Sequence, residues 1–152
     1  MTRTPSPAGF TLLETLVVLT IIGVMVTITV VGIAPALERG RVQHAAGAVT
    51  ADLLFAQAEA ARVRATVVVV LVPGMSTLFV RERDDASRIL RQRYLGADSE
   101  YGIDSVTASP TNMVEILPNG LARQNITFTI SGGESTRAVQ LTRAGLIRMS
   151  VR

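Results

Sequence analysis

The chain has 152 residues, 15 basic and 12 acidic side chains for a formal net charge of +3, and no cysteine. That length holds one domain with a modest core. The missing cysteines exclude disulfides, zinc–thiolate sites and thiol nucleophiles, and a small charge with acids interspersed among arginines specifies no polyanionic partner.

The charge is unevenly placed. Between Phe10 and Leu37 the sequence is apolar or small, and its single charged residue is Glu14. Residues 12–34 are long enough to cross a bilayer as a helix, which takes roughly 20 apolar residues. A carboxylate at the middle of such a span costs about 2.5–3.5 kcal/mol and less near an end, so Glu14 calls for a reason. A buried core helix of this length and uniformity does not fit so small a chain. A secretory signal would find small residues at Ala34-Pro35-Ala36, yet the run exceeds the roughly 7–15 apolar residues such signals use.

The stretch Gly9-Phe10-Thr11-Leu12-Leu13-Glu14 resembles the N-terminal signal of type IV prepilins and type II secretion pseudopilins. The resemblance implies a leader, residues 1–9, that prepilin peptidase cuts between Gly9 and Phe10. It implies N-methylation of Phe10 and an assembly role for Glu14, fifth in the mature chain. One departure is that Arg3 is the only basic residue of the leader. Charge supplies the physical sense. Cleavage would leave a cationic amine on Phe10, and Glu14 lies one helical turn away on the same face. In stacked helices the amine of one subunit could pair with the carboxylate of the next, so that two groups costly in lipid neutralise each other.

Past Pro35 the pattern becomes periodic. Val42, Ala45, Ala46, Val49, Leu53, Ala56, Ala60 and Val63 recur at three- and four-residue steps, and Glu38, Arg41, Asp52 and Glu59 fall mostly between them. This predicts an amphipathic helix to about Arg64, rich in Ala and therefore suited to close packing on a sheet. The period then changes to two. Residues 66–74 and 76–83 read as a hairpin, 88–95 as a third strand, and 113–117 as a strand closed by Pro118-Asn119-Gly120. Residues 126–130, 138–142 and 146–151 follow as strands, while 96–111 reads as a long loop or a weak strand around Ile103–Val106. The expected fold is α+β: a long N-terminal helix, transmembrane in its first half and amphipathic in its second, packed on one antiparallel sheet of about seven strands.

Ile116-x-Pro118-x-Gly120, the strand that follows it, and a terminal strand entered through Gly145 are similar to the domain shared by the GspH minor pseudopilins and FimT minor pilins. That family implies a division into leader 1–9, a transmembrane and assembly helix over 10–37, and a periplasmic pilin-like domain over 38–152. It implies a non-enzymatic subunit of a type II secretion pseudopilus or type IV pilus, held in the inner membrane with its N-terminus cytoplasmic. Its partners would be other pilins and the prepilin peptidase. No cofactor or metal is expected. His44 is the only histidine and has no nucleophile beside it in sequence. Ser131-Gly132-Gly133 lacks nucleophile-elbow spacing, and Asp84-Asp85 and Asp98-x-Glu100 lack the repeating spacing of a calcium loop. Arg88, Arg91 and Arg93 form one group of arginines and the C-terminal ones another. Some FimT-type pilins contact DNA through Gly-Arg-x-Arg. Here the stretch is Gly145-Leu146-Ile147-Arg148, with Leu for the first Arg, and the alternative function is DNA binding through Arg143, Arg148 and Arg152.

Overall fold

A computed structural model describes residues 10–151, apart from the side chains of residues 28–34. The leader, with Gly9, and Arg152 lie outside the described residues. One helix, α1 (Leu12–Val63), opens the fold and contains Pro35. The chain divides into two compact units, one ending at Ala36 and one beginning at Leu37.

In the first unit the described part of α1 is exposed on every side: Leu16, Val17, Val18, Leu19, Ile21 and Ile22 are all accessible. Among the described residues no helix is long and apolar enough to cross a membrane. The span expected over residues 12–34 includes 28–34, whose side chains are outside the description.

The second unit holds the core. Val42, Ala45, Ala46, Val49, Leu53, Ala56 and Ala60 of α1 are fully buried, as their spacing predicts. Their small side chains let the helix lie close on β-structure: a Cβ added at Gly132 would meet the Val42 side chain. Eight strands follow: β1 (Val67–Val72), β2 (Thr77–Glu82), β3 (Ile89–Tyr94), β4 (Ser105–Ser109), β5 (Met113–Ile116), β6 (Ile126–Gly132), β7 (Ser135–Leu141) and β8 (Ile147–Val151). The single sheet expected from the sequence is corrected to two four-stranded antiparallel sheets, ordered β3-β2-β1-β5 and β4-β6-β7-β8. Each predicted strand is present, and the weak segment near Val106 is β4, paired with β6 from Ser105↔Ser131 to Ser109↔Thr127. The reason is non-local pairing. β1 takes β5 as its second neighbour, and β4 crosses to β6. Inward residues of both sheets meet α1 in one cluster, with Val69, Leu78 and Val114 from the first and Val106, Phe128 and Val139 from the second.

Two of the acids that fall between the periodic positions of α1 are nonetheless buried. Asp52 is 1% exposed and Glu59 8%. Glu59 pairs with Arg62 one turn on. Asp52 faces β3, whose inward positions carry arginine where an apolar residue would be usual.

Candidate functional site

At the start of α1, Thr11 caps the helix. Its hydroxyl accepts the Glu14 N–H at 3.2 Å, and its carbonyl accepts the Thr15 N–H. Thr11-x-x-Glu14 is therefore capping spacing, with Glu14 at the third helical position, where a carboxylate is stabilised by the positive helix end. The sequence held this signal in the Thr-x-x-Glu pattern, and the reading of Glu14 as an assembly residue passed over it. Phe10 is exposed, as are the leucines that follow it. The described part of this unit thus presents an uncovered apolar helix with Glu14 in its first turn.

The arginines divide by surroundings. Arg93 makes a fork on Asp52, Nε to Oδ2 at 2.5 Å and Nη2 to Oδ1 at 2.8 Å, and donates from Nη1 to the Tyr101 hydroxyl at 2.6 Å. Arg91 adds a contact to Asp52 Oδ1 at 3.1 Å, with its guanidinium 3.9 Å from the Phe55 ring centre. The hydrogen bonds to Asp52 raise the Arg93 pKa further above its ordinary value, while burial pushes the Tyr101 phenol up. His44 is accessible and stacks 5.2 Å from the Tyr101 ring. Arg88, grouped with these in sequence, turns instead to Glu82 at 2.9 Å. Arg91 and Arg93 are thus ion-paired anchors of β3 on α1. Asp85 accepts from the Ser87 N–H and hydroxyl, a local turn.

Arg143 and Arg148 are exposed; Arg152 lies outside the described residues. Arg143 belongs to a junction of two loops with the same hydrogen-bond pattern. In Leu117–Leu121 the Gly120 N–H returns to the Leu117 carbonyl and the Leu117 N–H donates to the Leu121 carbonyl, both at 2.9 Å. In Thr142–Leu146 the Gly145 N–H and the Thr142 N–H do the same, again at 2.9 Å. Each is a three-residue hairpin loop with a glycine at φ +79° in its last position, where a Cβ is disfavoured. The loops dock on each other through Ala122 N–H to Arg143 carbonyl, and a Cβ on Gly145 would strike the Gly120 carbonyl. Gln57 of α1 clamps both, donating from Nε2 to the Gly145 carbonyl at 2.7 Å and the Gly120 carbonyl at 3.2 Å. The Pro-x-Gly turn and the late glycine were visible in the sequence; their meeting, and Gln57, were not.

A helix whose buried small-residue stripe covers two antiparallel sheets defines a pilin-like α+β protein. Two crystal forms of the type IV minor pilin FimU of Pseudomonas aeruginosa PAO1 share this fold. One aligns at TM-score 0.61 and 20% identity over 74% of this chain and 90% of that one; the other at 0.58 and 18% over 71% and 91%. A family model described as type II transport protein GspH matches residues 45–145, and the chain belongs to this family. No curated protein matches it.

Proposed function

We propose that the chain is a non-enzymatic minor subunit of a type II secretion pseudopilus or a type IV pilus, assembling with other pilin-like subunits through its N-terminal helix. The observation that carries the reading is the uncovered apolar start of α1 with Glu14 as its one acid, in a chain of the GspH family. A helix apolar all round needs lipid or other helices around it. In this reading residues 10–37 wait in the inner membrane with the N-terminus cytoplasmic, and 38–152 fold in the periplasm. Prepilin peptidase removes residues 1–9 at Gly9, Phe10 becomes an N-methylated amine, and Glu14 pairs with that amine on a neighbour. Mass spectrometry of membrane-extracted protein tests it. The expected N-terminus is Phe10 carrying one methyl group, and Gly9→Leu should block the cut. An intact Met1 in cells with active prepilin peptidase would overturn the processing.

A second reading rests on Arg143 and Arg148, exposed with no acidic partner among the described residues. With Arg152 they would form a DNA contact of a minor pilin for natural transformation. Three phosphate contacts imply a slope of log affinity against log salt of about −2.7 on duplex DNA. A titration showing no salt-dependent binding would exclude it.

A further inference from the structure

The two sheets have four edges, and three carry a feature that hinders pairing. On β3 the inward arginines Arg91 and Arg93 are held by Asp52. The edge of β5 is taken by the Arg123 N–H on the Glu115 carbonyl and by Gln124 Nε2 on the Met113 carbonyl, both at 3.0 Å. β4 lies beside the Pro73–Met75 turn and runs into Pro110. Inward charges, covering segments and prolines are the usual means of blocking a sheet edge.

β8 has none of these. It pairs with β7 from Leu141↔Ile147 to Arg137↔Val151, and among the described residues no hydrogen bond reaches its backbone from any other element. Its inward side carries Ile147, Met149 and Val151. Ile147 packs on the core, while Met149 is 40% and Val151 72% exposed. The apolar underside of the sheet therefore continues past the last strand. On the other side Arg148 stands opposite Gln140, with no acid in the strand. Arg39 and Arg137 line a groove of about 210 Å³ beside Val151, with Glu134 its only acid.

We infer that β8 is a docking edge for an extended strand of another polypeptide. That strand would have apolar side chains on the face that covers Met149 and Val151 and acidic ones on the face that meets Arg148. Main-chain hydrogen bonds would supply adhesion, and the alternating side chains selectivity. Charge disfavours a second copy of this chain as occupant. A twofold pairing centred on Met149 would set two Arg148 side chains diagonally across one face, with no carboxylate in either strand.

The test uses the full isotope-labelled chain in detergent micelles and two synthetic probes, acetyl-Thr-Val-Glu-Val-Glu-Val-Thr-amide and its Lys-for-Glu counterpart. The expected result is chemical-shift change at β8 amides, with the acidic probe bound about two- to fivefold more tightly, the scale of exposed charge pairs. Arg148→Glu, an exposed position whose circular dichroism should not change, is expected to reverse that preference. Absence of shifts in β8 would overturn the inference, as would a preference that Arg148→Glu leaves intact. A dimer in sedimentation that Met149→Glu dissolves would show a second copy to be the occupant and overturn it too.

Discussion

Asp52 is the residue on which β3 depends. Asp52→Ala leaves Arg93 and Arg91 half-buried without a carboxylate, and removing one partner of a buried pair costs about 3–5 kcal/mol. Since both arginines keep some solvent access, the expected loss in chemical denaturation is about 2–3 kcal/mol, after discounting for screening. The double variant Asp52→Leu/Arg93→Met should recover most of it, because an apolar pair of similar volume can replace a buried ion pair. Glu59 gives a pH signature. The Arg62 hydrogen bonds hold its carboxyl below the ordinary 4.5. A lowered acid pKa stabilises the fold above that ordinary value, and the contribution disappears as pH falls through the folded-state pKa. Glu59→Gln should therefore reduce the loss of stability on acidification below about pH 4.5, measured as urea midpoints across pH. At Glu14 the proposed pairing with a neighbouring subunit can be separated from the helix cap. Glu14→Ala and Glu14→Gln should leave synthesis and leader removal intact while abolishing crosslinks to other pilin-like subunits. Thr11→Ala removes only the cap and should loosen the first turn without loss of crosslinking.

At the scale of elements, the glycine loops make the sharpest prediction. Gly145→Ala must hold a Cβ at φ +79° against the Gly120 carbonyl, and the left-handed conformation alone costs about 1–2 kcal/mol. Gln57→Ala deletes two hydrogen bonds to loop carbonyls and should cost about 1–3 kcal/mol. If the two loops form one junction, the double variant should lose less than the sum. These elements also show where sequence reading stops. The stripe from Val42 to Ala60 was legible because helix burial follows a local period. The strands were legible from β-branched runs between turn residues. The burial of Asp52 was not, because its partners lie 39 and 41 residues away on a strand whose inward arginines look like a solvated alternation. The division into two sheets was hidden for the same reason, since no local pattern states that β1 accepts β5. Of the candidate site, the Phe10–Glu14 spacing was plain in the sequence. The free edge of β8 was not, because an edge is a property of what fails to pair.

For the whole molecule, the unit from Leu37 onward contains every residue of the buried cluster. A fragment beginning at Arg39 is expected to fold as a soluble domain, with mixed helix and strand in circular dichroism and one cooperative unfolding transition. A coil spectrum would mean that the residues before Arg39 are needed for folding. The Gln57 clamp sets an order of events in this unit. It joins positions 63 and 88 residues apart, and synthesis delivers Gln57 well before Gly120 and Gly145. Contacts of such long separation close late, since loop entropy must be spent before they return anything. The domain therefore stays unlatched until the Thr142–Leu146 loop has emerged, whatever has already paired. A chain halted before Thr142 should show rapid amide exchange in the Leu117–Leu121 turn, and the complete chain slow exchange there. Any factor that binds the nascent subunit has that interval in which to act.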